Sequence, residues 1–411
     1  MECMKISLFT PVHDLRFLGE AYASIKDQPF DEWVILRNGP ALYQPLGFID
    51  PRVKVLDLDA DCTKMGSLKR LACLAATGDI LVEFDGDDLL VPGAIEKIRA
   101  AYADPAVGFV YSNAAYFHSD FQKHKRFDPA YGWSYRPYTA PNGNELDEIL
   151  TFPLTPCSIS KIWYAPDHVR SYRKSVYLQI GGHSKSLDAC DDHDLMLRMY
   201  QATVFKHIPE CLYLYRVHDT NTTWNTTERN QAIQTTTVQM SHKHFHALCA
   251  RWADLNGLRK IDLGGRLNKM SGYLSVDMKG ADISADLRQR WPFDDNSVGV
   301  VRAFDVLEHM PDKTHTMSEL HRVLKPGGYL LSQTPSTDGR GAFQDPTHVS
   351  YWNEHSFWYY TKQDLAKYID NETITFQTIR LETVRPSEHL AWVIFDAMKP
   401  DTVRHPGLVE I

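Results

Sequence analysis

The sequence of 411 residues has few cysteines and no long apolar run. None of its seven cysteines belongs to a Cys-x-x-Cys pair, which argues against a zinc site of that kind and against a disulfide framework. We therefore expect reduced thiols and a cytoplasmic protein. No apolar stretch approaches the length of a membrane span. The opening segment, MECMKISLFTPVHD, lacks the apolar core and cleavage site of a secretion signal, so we expect a strand there.

An excess of basic residues is also missing. The chain has 44 Lys and Arg against 52 Asp and Glu, a net charge of −8. This balance disfavours duplex nucleic acid as a tightly held ligand. The chain is longer than one typical domain, which predicts two domains. We predict a first domain at 1–222, a linker with a bridging helix at 223–257, and a second domain at 258–411.

Apolar runs alternate with amphipathic segments near the start of the chain. This alternation predicts an α/β domain with a mostly parallel sheet, and ligands of such sheets bind at the carboxyl ends of the strands. Residues 115–170 are rich in Tyr, Trp, Pro and Asn without a clear period, and we predict long loops that contact an acceptor. The predicted strands and helices are, in order, 4–10, 15–27, 32–37, 53–58, 65–76 and 79–84.

A run of carboxylates directly follows one predicted strand, in the segment ILVEFDGDDLLVPG. Asp85, Asp87 and Asp88 come after the apolar run, and Pro92 suits the first turn of the next helix. Such carboxylates repel one another unless a divalent cation neutralises them. Mg²⁺ and Mn²⁺ prefer oxygen ligands and commonly bridge carboxylates to a diphosphate. A helix-capping loop is the alternative explanation.

Two further motifs add a candidate base and a candidate metal ligand. Asp191, Asp192 and Asp194 precede an apolar helical stripe. A carboxylate that is crowded by like charge and partly desolvated gains basicity, which suits deprotonation of an acceptor hydroxyl. The helix dipole alone would also favour acidic residues there. A predicted strand then ends at Arg216 and His218, and this histidine is either structural or a metal ligand.

Together these motifs resemble glycosyltransferase family 2, which has the GT-A fold, over about residues 4–222. The resemblance rests on the first strand ending in Thr10-Pro11 and on the segments TKMGSLKRLACLAATGDILVEFDGDD, YRKSVYLQIGGHSKSL and YLYRVH. It implies a hexosyltransferase-type enzyme. Such an enzyme would transfer a sugar with inversion from a nucleotide-sugar, first of all a UDP-sugar, to an acceptor hydroxyl, with Mn²⁺ or Mg²⁺ bound.

The resemblance also implies roles for the matching residues. Asp192 would be the catalytic base, with Asp191 as its acidic neighbour, while Asp87 and His218 would hold the metal. After the second strand the family usually has an acidic residue, but this chain has Asn38, whose amide can still bond a nucleobase. The other implied contacts are Thr10 and Pro11 to uridine, Lys69 and Arg70 to the base or phosphate, Asp85 to ribose, and Arg216 to the diphosphate.

A second series of strands and helices begins at Lys260. The run KIDLGG predicts a strand that ends in Asp262 and two glycines. The next strand is predicted to end at Asp277, a position where a ribose diol is often held. A helix at 313–323 and a turn at 326–328 follow. An ordinary tight turn would by itself also account for the glycines.

This half resembles the class I adenosylmethionine-dependent methyltransferases over about residues 258–372. The segments that carry the resemblance are PFDDNSVGVVRAFDVLEHM, LKPGG and QDPTHVSYWNEHSFWYYT. It implies a Rossmann-like fold and S-adenosylmethionine as cofactor. Arg266 and Leu267 stand where further small residues are common. His309, His348 and Trp352 either line the pocket or are structural. The implied cofactor contacts are Asp262, Gly264 and Gly265 to the methionine part, Asp277 to ribose, and Asp286 near the adenine.

Three functions are consistent with these patterns. The first is a bifunctional transferase that glycosylates and methylates a saccharide acceptor, as in surface-polysaccharide assembly. The second is glycosylation of a hydroxymethylated pyrimidine in viral DNA, in which the aromatic residues of 115–170 and the basic cluster Lys123–Arg126 would contact bases and phosphates. The third is a glycosyltransferase with a non-catalytic methyltransferase-like module. Adenosylmethionine binding distinguishes the third from the other two.

Overall fold

The computed structural model of the protein describes residues 4–58, 64–129, 132–219, 227–370 and 373–401. The chain divides into two compact units, residues 1–244 and 245–411. The division falls inside one long helix, Thr227–Leu255, where the sequence predicts a bridging helix at about 231–254. The predicted domain limits at 222 and 258 stay predictions.

The first unit is built on a mixed sheet. Its described strands are β1 (Ile6–Val12), β2 (Glu32–Asn38), β3 (Val53–Leu58), β4 (Ile80–Glu83), β5 (Leu89–Leu90), β6 (Val107–His118), β7 (Ser134–Thr139), β8 (Glu145–Leu150), β9 (Arg170–Arg173) and β10 (Val204–Val217). Its described helices are α1 (Leu18–Ile25), α2 (Met65–Ala75), α3 (Ala94–Ala101), α4 (Pro156–Lys161), α5 (Lys174–Gln179), α6 (Asp191–Ala202) and the start of α7 (Thr227–Leu255).

The strand order in this sheet is β3-β2-β1-β4-β9-β6-β10-β5. The strands β3, β2, β1 and β4 are parallel, as the alternating pattern predicts, because each is followed by a helix or loop that returns the chain to the same edge. Apolar side chains of β1, β2 and β4 are buried, among them Leu8, Trp33, Ile35 and Val82, whereas the edge strand β3 has no buried residue. The carboxyl ends of β1 and β4 therefore lie side by side.

The prediction of long loops over residues 115–170 is wrong at 115–118, 134–139 and 145–150, where the structure has strands, and at 156–161, where it has a short helix. The strand β6 reaches His118, and an antiparallel hairpin of β7 and β8 pairs with it. Residues Val107–Ala115 of β6 are all buried, so the alternation that marks a half-exposed strand is missing. The strand β7, SYRPYT, has no buried residue, and its proline suits only an edge strand.

The second unit contains a sheet of order β13-β12-β11-β14-β15-β17-β16. All neighbouring pairs are parallel except those of β17, which runs against both neighbours. The strands are β11 (Arg259–Leu263), β12 (Leu274–Asp277), β13 (Ile283–Ser284), β14 (Val298–Phe304), β15 (Leu324–Pro335), β16 (Gln377–Val384) and β17 (Trp392–Met398). The described helices beyond α7 are α8 (Lys313–Val323), α9 (Gly341–Gln344), α10 (Glu354–Trp358) and α11 (Gln363–Ala366).

This topology confirms the predicted Rossmann-like class. The strand order reverses direction between β11 and β14, and ligands of open α/β sheets bind in the crevice at that point. The helix α8 has the predicted limits, and Asp312 caps it by accepting a hydrogen bond from the backbone N–H of His315. The predicted turn at 326–328 instead lies within β15, where Gly327 has a φ of +79°.

Two expectations from composition can be compared with the described part of the chain. Cys73, Cys190 and Cys211 are buried and form no disulfide. Over the same residues, we find no helix with both the length and the apolarity that crossing a bilayer requires. The Thr/Asn-rich run between the two resembling segments lies largely outside the described residues.

Candidate active site

A cavity of about 540 Å³ lies at the carboxyl ends of β1 and β4 in the first unit. The end of β10, the start of α6 and the first turns of α7 complete its walls. This is the edge of the sheet where the sequence predicts a ligand. The predicted site residues that line the cavity are Pro11, Lys69, Asp85, Asp87, Asp191, Asp192 and His218.

The acidic loop after β4 forms one side of the cavity. The Oδ2 atom of Asp87 lies 2.8 Å from Nε2 of His218, although these residues come from distant parts of the chain. Burial, together with the charge of Glu83, raises the pKa of Asp85 to about 7. Asp88 is fully buried, and burial raises its pKa well above the ordinary value. Carboxylates that are crowded and desolvated in this way fit a divalent cation, and Asp85, Asp87 and His218 are the donors of this loop and of the end of β10 that line the cavity.

Arg216 holds this loop from behind and does not line the cavity. Its Nε donates to the backbone oxygen of Asp87 at 2.7 Å, and its backbone N–H donates to Asp88 at 2.7 Å. The guanidinium lies 4.3 Å from the ring centre of Phe17 and 4.7 Å from that of Phe117. A contact with the diphosphate, as implied by the family resemblance, would require this side chain to leave a fully buried position. The geometry makes Arg216 a positioning residue.

The candidate base, Asp192, is paired with a cation that the sequence did not single out. Its Oδ2 lies 2.5 Å from Nη1 of Arg170, which is itself buried. Burial acts to raise the pKa of Asp192, but the charges of Arg170 and Lys69 outweigh it, so that the pKa is lowered. The expected gain in basicity therefore falls on Asp191, whose pKa burial raises to about 7.

Arg170 reaches this position through strand pairing. The antiparallel register of β9 with β4 places Arg170 opposite Glu83. In the sequence, Arg170 lies in the segment VRSYRKS, and no local feature distinguishes it from Arg173 in the same segment. Only the pairing of two strands far apart in the chain brings it to the cavity.

Lys69 links the acidic residues on the two sides of the cavity. Its Nζ lies 2.5 Å from Glu83 and 3.6 Å from Asp191. Glu83 is buried and also accepts a hydrogen bond from the hydroxyl of Tyr172. The start of α2 packs closely enough to make this possible because Gly66 has no side chain. A Cβ atom there would lie 2.1 Å from the backbone oxygen of Ser184.

The remaining predicted nucleotide-sugar contacts lie outside the cavity lining. The hydroxyl of Thr10 is buried, donates to the backbone oxygen of Phe84 at 2.5 Å and accepts from the indole of Trp33 at 2.8 Å. Asn38 ends β2 and is not among the lining residues, and Arg70 points towards the backbone oxygen of His183 at 3.5 Å. Pro11 follows Thr10 and does line the cavity.

Aromatic rings form much of the remaining wall. Several belong to the segment 115–170 for which the sequence predicts acceptor contacts. Trp133 stacks on Tyr164 with ring centres 5.4 Å apart, and the hydroxyl of Tyr116 donates to Asp167 at 2.6 Å. Such rings provide large, rigid surfaces. The aromatic residues of the lining are Phe17, Tyr116, Phe127, Trp133, Trp163, Tyr164 and Tyr215.

In the second unit, the glycine turn after β11 is tightly packed. Asp262 is fully buried, with Oδ1 2.7 Å from Nη1 of Arg302 and Oδ2 accepting from the backbone N–H of Met270 at 2.8 Å. Gly264 has a φ of +66°, a conformation that favours glycine. A Cβ atom on Gly265 would lie 2.9 Å from the backbone oxygen of Asp262. Both glycines are therefore required by the turn itself.

The other two predicted cofactor contacts have different surroundings. Asp277 ends β12, next to β11 in the sheet, and its side chain accepts from the backbone N–H of Met278 at 2.6 Å. Asp286 lies beyond β13 and forms a pair of hydrogen bonds with Arg288 at 2.8 and 2.9 Å. The structure thus groups Asp262, Gly264, Gly265 and Asp277 at neighbouring strand ends, while Asp286 belongs to a separate surface pair.

Comparison with known proteins finds a different family in each of the two units. Residues 7–165 match the model of glycosyl transferase family 2, and residues 240–372 match that of a methyltransferase domain. The chain therefore carries a family 2 glycosyltransferase domain followed by a methyltransferase domain, as its motifs predict.

Two relatives each match part of the chain. The O-antigen biosynthesis protein RfbC of Myxococcus xanthus is 28% identical over 225 residues, which cover 51% of this chain and 15% of RfbC. A probable S-adenosylmethionine-dependent methyltransferase of Mycolicibacterium smegmatis is 41% identical over 85 residues, which cover 20% of this chain and 31% of that protein. The chain thus spans only a minor part of each relative.

Among solved structures, that of residues 1–349 of S. aureus TarS aligns with 13% identity over 65% of this chain and 76% of that fragment. The TM-score is 0.43, which is too low to bear on the site.

Proposed function

We propose that the first unit transfers a sugar from a nucleotide-sugar, first of all a UDP-sugar, to an acceptor hydroxyl with inversion of the anomeric carbon. The observation that carries this proposal is the cavity itself. It brings the acidic loop with Asp87 and His218 into one space with Asp192, the candidate base. A leaving-group side and a base side within one cavity are what a single displacement requires.

The leaving-group side is formed by the acidic loop. Asp87 and His218 would hold a Mn²⁺ or Mg²⁺ ion, which when bound supplies positive charge for the departing nucleoside diphosphate. Asp85 is next to them and is our candidate contact for the ribose hydroxyls, with Pro11 beside the uracil. Arg216 keeps the loop in place through its hydrogen bond to the backbone of Asp87.

The acceptor side is formed by Asp192 and its cation. Asp192 takes the proton of the acceptor hydroxyl as the new glycosidic bond forms, while the sugar carbon has oxocarbenium character. Arg170, at 2.5 Å, fixes the orientation of the carboxylate and keeps it ionised at neutral pH. Asp191 and Lys69, 3.6 Å apart, also line the cavity and contribute to the charge around this pair.

We propose a saccharide as the acceptor, within polysaccharide assembly, since one relative is named an O-antigen biosynthesis protein. The alternative acceptor, a hydroxymethylated pyrimidine in DNA, requires the aromatic residues of 115–170 to contact bases and the basic cluster at 123–126 to contact phosphates. Lys123 and Arg126 both pair with Asp147 at 2.7 Å, which reduces the charge that they could offer to phosphates.

For the second unit we propose binding of S-adenosylmethionine at the carboxyl ends of β11 and β12, with Asp277 holding the ribose hydroxyls. Methylation of the same or a neighbouring sugar would make the chain bifunctional. A non-catalytic module is the alternative, and it is distinguished by the absence of adenosylmethionine binding.

The transferase proposal is tested by incubating the full chain with Mn²⁺, a panel of UDP-, GDP- and dTDP-sugars and a mixture of saccharide acceptors. We expect nucleoside diphosphate release with one UDP-sugar, and a product whose anomeric configuration, read by NMR, is opposite to that of the donor. Retention of configuration, or full activity in the presence of a chelator, would contradict the proposal.

A further inference from the structure

Three metal-ligating side chains converge in the second unit, away from the residues assigned so far. Glu308 and His309 follow β14, and His348 follows α9. One ligand atom of each lies within 4.8 Å of those of the other two. The sequence offers both histidines only as residues that line a pocket or are structural. Two histidines and one carboxylate whose ligand atoms are this close together can bind one metal ion.

The hydrogen bonds of the two histidines define which ring nitrogens are available. Nδ1 of His309 lies 3.0 Å from the backbone oxygen of Thr347, and Nδ1 of His348 lies 3.0 Å from that of Ala342. A carbonyl oxygen can only accept, so each Nδ1 carries the proton in these bonds. The Nε2 atom of each neutral ring then has a free lone pair. Metal-binding histidines are commonly oriented in this way by a carbonyl or carboxylate on the other nitrogen.

A hydrogen bond also fixes the orientation of the Glu308 carboxylate. Only 2% of the residue is exposed, and one oxygen accepts a hydrogen bond from the hydroxyl of Thr334 at 2.6 Å. The other oxygen lies 3.9 Å from Nε2 of His348. That separation is too long for a hydrogen bond, but it is close to that of two ligands each about 2.1 Å from one ion. Asp345 is a further donor within reach, at 4.0 Å from the same nitrogen.

We propose that Glu308, His309 and His348 bind a divalent transition-metal ion of the zinc class. Two imidazoles and one carboxylate form the ligand set of catalytic zinc sites, which leave a coordination position open. The cluster is close to the proposed cofactor turn, because a Cβ on Gly264 would lie 3.1 Å from Val306, in the same loop as Glu308. The open position would therefore suit an oxygen atom of the methyl acceptor.

The test uses the full chain, equilibrium dialysis against Zn²⁺, and mass spectrometry to count bound metal. We expect the double variant His309→Ala/His348→Ala to bind one equivalent fewer than the wild type. His355→Ala is the matched control, since this exposed histidine of the same unit stacks on Trp358 and should leave the count unchanged. Asp87→Ala should retain the equivalent that the double variant loses, which separates this site from the proposed metal of the first unit.

An unchanged Zn²⁺ count in the double variant would overturn the proposal. If the double variant does not fold, Glu308→Gln decides, since it preserves the shape of the side chain and the hydrogen bond from Thr334. We then expect the dissociation constant for Zn²⁺ to rise at least about tenfold. An unchanged constant, or binding of Mg²⁺ as tight as that of Zn²⁺, would also contradict a site with two nitrogen ligands.

Discussion

The acidic residues that follow the central strands have different surroundings in the two units. In the first unit, Asp87 follows β4 and faces a cavity, where it contacts His218, a residue of the cavity wall. Asp192, at the start of α6, faces the same cavity and contacts Arg170. In the second unit, Asp262 is fully buried, and both of its oxygens are used by Arg302 and by the backbone of Met270. A carboxylate that follows a strand looks the same in the sequence of both units. Its contacts in the folded chain decide whether it is available to a ligand or stabilises the fold.

This comparison predicts that substitutions in the first unit change catalysis most, whereas substitution of Asp262 changes stability most. The largest effect should come from Asp192→Asn. Loss of a general base lowers kcat by roughly 10²- to 10⁴-fold, while donor binding should be retained because Asp192 acts on the acceptor. Steady-state kinetics and donor titration measure the two effects. Asp194→Asn is the control, since Asp194 pairs with Arg198 along the helix. Loss of donor binding in Asp192→Asn would contradict the assignment of the base.

Removal of the metal ligand should have the next largest effect. We expect Asp87→Ala to reduce kcat about a hundredfold or more and to abolish the response to added Mn²⁺. A titration of activity with Mn²⁺ in wild type and variant measures both. The folded state should tolerate this change, because it relieves repulsion among Asp85, Asp87 and Asp88. A variant that still responds to Mn²⁺ would place the metal elsewhere.

Asp262→Ala should show the opposite pattern. It leaves the guanidinium of Arg302 largely buried without its carboxylate, which costs about 3 kcal/mol or more. We expect a lower unfolding temperature of the second unit, measured by calorimetry, with sugar transfer unchanged. Asp286→Ala is the comparison, since Asp286 belongs to a surface pair and such pairs contribute little to stability. Equal stability of the two variants would remove the distinction between the units.

Arg170 provides a test through pH. Burial raises the pKa of Asp192, and the nearby charge of Arg170 lowers it. In Arg170→Met the burial effect remains without the main opposing charge, so the base is protonated at higher pH and the acid limb of kcat/KM moves upwards. A shift of one pH unit costs about tenfold in rate on that limb. In Arg170→Lys the positive charge is retained, so the acid limb of kcat/KM should return to lower pH. Identical profiles for all three proteins would show that Arg170 has only a structural role.

The smallest effect concerns adenosylmethionine. Asp277→Ala should weaken its binding roughly tenfold, since the lost hydrogen bonds to the ribose involve a charged acceptor. Asp286→Ala should leave binding unchanged, since its carboxylate is already bonded to Arg288. Calorimetric titration of the two variants gives the answer. If only Asp286→Ala weakened the binding of adenosylmethionine, that result would contradict the role of Asp277 and support the contact of Asp286 with the adenine that the resemblance implies.

Local patterns were sufficient to predict much of the fold. The helix α8 has the limits that the sequence predicts, and β4 leads into the acidic loop as expected. The β7–β8 hairpin was missed because it adds to β6, whose burial on both sides removes the usual alternation. Its outer strand is exposed and contains a proline, which gives no periodic signal either.

The site was predictable only in part, since several of its contacts depend on pairing between distant segments. The register of β9 against β4 brings Arg170 to the cavity, and no local feature of VRSYRKS indicates it. Thr10 and Arg216 stand at the expected positions in the chain, but their side chains are committed to core and loop contacts. Likewise, the tautomers of His309 and His348 depend on backbone oxygens that only the folded chain supplies.

We propose that each unit has its own ligand site, and ligand-induced stabilisation of the full chain distinguishes two sites from one. A ligand that binds the folded state raises the unfolding temperature in proportion to its occupancy. We predict a metal-dependent shift with one UDP-sugar that Asp87→Ala abolishes, and a separate shift with adenosylmethionine that Asp277→Ala weakens, with neither variant affecting the other shift. Loss of both shifts in either variant, or no shift with either ligand in the wild type, would contradict two independent sites.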